Sequence, residues 1–166
     1  MRSIFNADEV FEMAEQIERN GAKFYRKVAE GIPESSTHQL LIMLAEMEDE
    51  HEKTFATIRE DMLKQGQVST VSPVFDPDNQ AALYLKAIAD GRVFDIRVDT
   101  SERLTGKETM EEVLQTAIGL EKDSIVFYLG IKEFVPEKLG ADKIEDIIKE
   151  EMAHITYLNK ELAALD

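Results

Sequence analysis

Two pairs of residues carry the spacing of a metal-ligand set: Glu48 with His51, and Glu151 with His154. Three residues apart on a helix, a carboxylate and an imidazole share one face and can reach one ion. Glu18 and Glu121 add a second carboxylate, and so a third candidate ligand, to each pair, because each interrupts an apolar stripe, Phe11–Glu18–Tyr25 and Leu114–Glu121–Tyr128. The pairs themselves interrupt the stripes Leu41–Glu48–Phe55, Leu44–His51–Ile58 and Ile144–Glu151–Leu158. These five therefore point where a helix buries its hydrophobic face, and His154, three residues after Glu151, shares the face of that glutamate. Four ionised carboxylates buried without counter-charge would be prohibitively costly, and several would have to protonate. Two divalent cations supply four positive charges and make the set neutral. Oxygen-rich ligation with two imidazoles suits iron or manganese, whereas thiolates, which favour zinc or copper(I), are absent.

A single Glu-x-x-His says little in so acidic a chain. What gives it weight is repetition. IERNGAKFY (17–25) overlays LEKDSIVFY (120–128) at an offset of 103 residues, and the same offset carries Pro33 onto Pro136, Glu48 onto Glu151 and His51 onto His154 without a gap. The chain reads as two copies of one helix hairpin, at about 6–64 and 109–166, joined by a crossover at about 65–108.

The elements that must position these residues follow from periodicity and capping. Asn6 with Glu9 forms a capping box for a first helix that ends near Gly31–Pro33. A second helix starts at Ser36 or Thr37 and runs to about Lys64 before Gly66, with His38 an exposed residue of its first turn. The short link between the two implies an antiparallel hairpin. In the crossover, Asp78 caps a short helix closed by Gly91, and the stretch after it reads as loop with helical turns. Thr109 with Glu112 opens a third long helix that ends near Pro136, and Asp142 with Glu145 caps a fourth. A connection as long as 65–108 suggests a crossover along the bundle rather than a tight turn. Met43, Met47 and Met152 read as core filler rather than as ligands.

Composition narrows the function classes. The chain has 166 residues with 34 acidic against 19 basic side chains, a net charge of −15, and 43% hydrophobic residues. That suits one globular domain over 1–166 and argues against nucleic acid, whose phosphates need a basic face. No stretch approaches the ~20 apolar residues that span a bilayer, and the N-terminus lacks a secretory pattern, so the expectation is a cytoplasmic protein that binds no membrane. With no cysteine, disulfides and cysteine-ligated iron–sulfur centres are excluded.

On IERNGAKFY, EDEH (48–51), LEKDSIVFY and EMAH (151–154), the sequence resembles the rubrerythrin-like branch of the ferritin-like di-iron carboxylate proteins. These draw one glutamate from each of two helices and Glu-x-x-His from each of the other two. The resemblance implies an all-α, ferritin-like antiparallel four-helix bundle with a long crossover between helices 2 and 3. It implies two iron ions, with manganese or a mixed iron–manganese pair as alternatives. Glu18 and Glu121 would be terminal ligands, Glu48 and Glu151 would bridge both metals, and His51 and His154 would each complete one. Tyr25 and Tyr128 match aromatic positions beside the site that can hydrogen-bond the carboxylates. The implied activity is that of an oxidoreductase acting on dioxygen or hydrogen peroxide; the alternative is an iron-binding or ferroxidase-type sequestration protein. A homodimer is the expected assembly. Two departures are visible. Ser124 stands where rubrerythrins carry a second glutamate three residues after the third-helix ligand, and no four-cysteine rubredoxin module is present, so electrons would have to come from a separate donor protein.

Overall fold

A computed structural model describes residues 7–65, 83–85, 87, 99–133 and 135–165. Four long helices, α1 (Ala7–Glu30), α2 (Ser36–Lys64), α4 (Met110–Lys132) and α5 (Ala141–Ala163), form the body, with a single-turn α3 (Thr100–Arg103) before α4. No strand occurs among the described residues. The expected caps at Asn6 and Asp78 and the helix closed by Gly91 lie largely outside them.

The helices pair as hairpins because each buries one stripe against its neighbour: α1 packs chiefly on α2, and α4 on α5. Their apolar side chains segregate into two clusters. One gathers Val10, Phe11 and Ile17 of α1 with Phe55 and Ile58 of α2, Phe127 and Ile131 of α4, and Ile144 and Ile148 of α5. The other gathers Phe24 and Val28 with Leu41 and Leu44, Val113 and Leu114, and Leu158. The order in which each helix meets these clusters fixes its direction. α1 and α5 run from the first cluster to the second, while α2 and α4 run the opposite way. Since α2 and α4 are therefore parallel, the chain must travel back along the bundle between Lys64 and Met110, which is the crossover that the length of 65–108 suggests. On every long helix the buried polar residues fall between the two clusters, so a polar layer is sealed at both ends by hydrocarbon.

Capping sets the helix starts. The Ser35 hydroxyl accepts from the His38 backbone N–H at the start of α2, and Thr109 and Glu112 form the full capping box of α4. His38 is half-buried rather than exposed, its ring nitrogen Nδ1 lying 3.0 Å from the Ala29 carbonyl oxygen and so closing the α1–α2 turn. α4 stops at Lys132, four residues short of Pro136, because a proline disfavours helical backbone before it and offers no N–H. The start of α5 also differs from expectation. Asp142 does not cap it; Gly140 occupies the cap position with φ +116°, and Asp142 lies in the first turn. Glu145, the other half of the expected box, pairs instead with Lys132 and Lys149. Met43 and Met152 are exposed and Met47 half-buried, so none is core filler.

Gly140 is required for two reasons at once. Its backbone angle is one L-residues rarely adopt, and a Cβ there would lie 2.9 Å from Ile58 Cγ1. Gly106, at φ +77°, carries only the first constraint, since an added Cβ meets nothing within 4 Å. Gly106→Ala is therefore expected to lose about 1 kcal/mol from backbone strain. Gly140→Ala adds overpacking and should lose about 3 kcal/mol. Urea unfolding of both variants measures the difference.

Candidate metal centre

The polar layer consists of the residues picked out by spacing. Glu18, Glu48, His51, Glu121, Glu151 and His154 are all buried, and the packing of four helices brings them to one place. They form two overlapping groups, each with ligand atoms mutually within 4.8 Å: Glu18, Glu48, His51 and Glu151; and Glu48, Glu121, Glu151 and His154. Glu48 and Glu151 belong to both.

The central glutamates divide their oxygens between the two histidines. Glu151 Oε1 lies 3.1 Å from His51 Nδ1, and its Oε2 lies 2.8 Å from His154 Nδ1. Glu48 Oε2 lies 3.8 Å from His51 Nδ1, and its Oε1 lies 3.4 Å from His154 Nδ1. The outer glutamates each face one histidine, Glu18 Oε2 at 3.6 Å from His51 Nδ1 and Glu121 Oε1 at 3.4 Å from His154 Nδ1. The two rings stack, with centroids 5.7 Å apart. Two carboxylates spanning both halves and one reserved to each half is an arrangement suited to a pair of adjacent cations.

Hydrogen bonding leaves room for such ions. Glu18 Oε2, His51 Nδ1, both oxygens of Glu151 and both ring nitrogens of His154 are buried without a hydrogen-bond partner. Buried polar atoms are almost always satisfied, so a concentration of orphaned lone pairs on one carboxylate–imidazole set fits the binding of cations. The donor set, four carboxylates and two imidazoles with no sulfur, matches iron or manganese chemistry.

One oxygen of each outer glutamate is held by a tyrosine, and across the hairpins rather than within them. The Tyr25 hydroxyl of α1 donates to Glu121 Oε1 of α4, and the Tyr128 hydroxyl of α4 donates to Glu18 Oε1 of α1. Both rings are buried core aromatics as well as donors. Burial, reinforced by the facing carboxylates, pushes both hydroxyls well above the usual tyrosine range, so they stay protonated and keep donating.

Sequence spacing did not single out Glu150. Its Oε2 lies 2.8 Å from His51 Nε2, so the ring nitrogen turned away from the layer donates to a carboxylate on the neighbouring hairpin. Glu150 is half-exposed and reads from sequence as part of a solvated helix face; only the closeness of α5 to α2 reveals its role.

One side of the centre opens into a cavity of about 300 Å³, lined by Ile17, Gly21, Tyr25, Glu48, Glu121 and Ser124 among others. Small residues keep it open. A Cβ at Gly21 would lie 3.4 Å from Glu48 Cδ, and the Ser124 hydroxyl folds back onto the Leu120 carbonyl oxygen at 3.0 Å.

No protein-family model matches the chain, and no curated protein matches it in sequence. Among solved structures it is similar to a Thermotoga maritima protein described as a candidate ferritin-like diiron-carboxylate protein. The likeness has a TM-score of 0.71 at 22% identity and covers 100% of both chains. The chain thus has the ferritin-like helical fold. None of the helices among the described residues is long and apolar enough to cross a membrane.

Without metal, the layer must hold protons. Burial, with the charges of Glu48 and Glu151 added, pushes Glu18 and Glu121 well above the usual carboxylate range. Burial works against the charged form of both histidines, but the facing carboxylates outweigh it: His51 is pushed far up and His154 up to about 12. All four groups have folded values above their unfolded ones. The stability they contribute is therefore complete below the unfolded values and lost as pH rises through the folded ones. For His154 that window runs from 6.5 to about 12. The melting temperature of chelator-treated protein is expected to fall steadily from pH 6.5 to pH 9, and the metal-stabilised increment to grow over that range, because cations displace those protons. Scanning calorimetry with and without manganese(II) checks both slopes.

Proposed function

We propose that the chain is a di-metal carboxylate protein that takes two iron ions and acts as an oxidoreductase on hydrogen peroxide or dioxygen. The observation that carries this reading is the set of buried, unpartnered ligand atoms in two overlapping groups that share Glu48 and Glu151. The fold likeness to the Thermotoga maritima protein, described in di-iron terms, supports it. Glu18 and His51 would hold one metal, Glu121 and His154 the other, with Glu48 and Glu151 bridging. Two iron ions, when bound, supply two one-electron couples side by side, matching the two electrons that peroxide needs to become water.

The residues around the site do the rest. The apolar clusters at either end keep bulk water from the layer and so strengthen the electrostatics inside it. Tyr25 and Tyr128 fix the outer carboxylates through hydrogen bonds and hold a proton beside each. The cavity beside Gly21 and Ser124 gives a small oxidant a route to Glu48 and Glu121. These 166 residues hold no cysteine for a rubredoxin-type relay, and in this reading the reducing electrons come from a separate donor protein.

Elemental analysis after anaerobic iron(II) loading is expected to give two irons per chain, with Glu151→Ala losing most of both because it serves both groups. Stopped-flow oxidation should then show repeated peroxide consumption when a chemical reductant is supplied. A single round of oxidation followed by iron accumulation would favour sequestration instead, and negligible iron binding by the unmodified protein would sink the di-metal reading. Tyr25→Phe is expected to leave iron content near two while slowing oxidation about tenfold, since it loosens a ligand without removing one.

A further inference from the structure

The two halves of the site match closely. Each has one outer glutamate, one tyrosine donating to that glutamate from the opposite hairpin, one histidine, and a share of the same two central glutamates. The outer edges of the histidines break the match. His51 Nε2 lies 2.8 Å from Glu150 Oε2. His154 Nε2 is buried without a partner. The difference is written into the repeat: the 103-residue offset that overlays the halves puts Met47, a side chain without charge, at the position of Glu150.

A carboxylate on the far nitrogen of a ligating imidazole does two things. It fixes the tautomer that leaves Nδ1 free for a metal, and it raises that nitrogen's basicity. His51 Nδ1 is the nitrogen aimed into the layer, so Glu150 acts in the productive sense. Its effect is local, because the two rings do not share it. Resting on the di-metal reading above, we infer that the two metal positions are unequal, with Glu150 as a positioning residue that makes the His51 position the tighter one and the first to fill. Losing such a carboxylate typically weakens a metal site ten- to a hundredfold. Glu150 is half-exposed, and solvent screens part of its charge, so about tenfold is expected here.

Titration of the metal-free protein with cobalt(II), followed by calorimetry and visible absorption, tests this. Two binding steps separated by about tenfold are expected. In crystals loaded with less than one equivalent, the anomalous scattering should sit beside His51. Glu150→Ala should weaken the first step until the two merge, with the anomalous signal divided between positions. Glu50→Ala is the control. It removes a carboxylate from the wall of the same α2–α5 groove, where Glu50 is paired with Lys53 rather than His51, and should leave the separation intact. Equal affinities in the unmodified protein, first filling beside His154, or an equal loss in Glu50→Ala and Glu150→Ala would overturn the inference while leaving the di-metal reading standing. Failure of the unmodified protein to bind cobalt(II) at all would overturn both.

Discussion

Burying charge is the constraint on which the rest of this structure depends. Four carboxylates and two imidazoles lie in a layer with hydrocarbon above and below it. Among the described residues, no lysine or arginine is buried to neutralise them. A layer of that kind survives in two ways, by holding protons or by holding cations. The protein is equipped for both. The carboxyls of Glu18 and Glu121 and the imidazoles of His51 and His154 all favour their protonated forms when only each other is available. Glu48 is driven the other way: burial disfavours its charge, but the donors facing it from Glu18, His154 and His51 hold it well below the usual carboxylate range. A network divided into proton holders and an ionised Glu48 is a poor final state and a good receptor, because each proton it holds can be exchanged for part of a cation's charge.

The duplicated hairpin is the economical way to build such a receptor. A pair of ions needs ligands from both sides, and two copies of one hairpin, packed in opposite directions, supply them from a single sequence pattern. The sharing of Glu48 and Glu151 between the two groups follows from the packing. Glu48 and Glu151 sit on α2 and α5, where the copies meet, so each sends one oxygen toward each histidine. The tyrosines lock the copies together over the same layer, since each hydroxyl satisfies a glutamate of the other hairpin. Outside the layer, partly exposed pairs such as Arg19 with Glu52 and Arg59 with Asp8 join α1 to α2, and solvent screening keeps the stability each adds modest.

Much of this was legible in the sequence because it rests on period and offset. Glu18, Glu48 and His51 stand out as polar residues on apolar stripes, and their copies confirm the register independently. The crossover was legible from length alone. What sequence could not show is whatever depends on the distance between helices far apart in the chain. Nothing in the order of residues says that Tyr25 reaches Glu121 rather than Glu18, or that an outward glutamate at 150 meets His51. The start of α5 was misread for a different reason. Asp142 with Glu145 has the composition of a capping box, but Gly140 already takes the turn in a conformation open to it and packs against Ile58. Local capping rules describe a helix end in water, and here tertiary contact decided the matter.

The pattern of symmetry and difference in the site has its own logic. Residues facing into the polar layer are tied to their copies, because altering one half alone would leave a charge unmatched in the interior. Residues one step further out are free of that requirement, and there the halves diverge: Gly21 against Ser124 on one side, Met47 against Glu150 on the other. These differences fall on opposite faces of the layer. The cavity opens between α1 and α4, where small side chains keep space beside Glu48 and Glu121, while the groove that holds Glu150 runs between α2 and α5 behind His51. A small molecule entering the first would meet carboxylates and tyrosine hydroxyls, and a change in the second would act through an imidazole without obstructing that entry. The copies thus share a common charge balance at the centre while differing in the space beside Glu48 and Glu121 on one face and in the carboxylate behind His51 on the other.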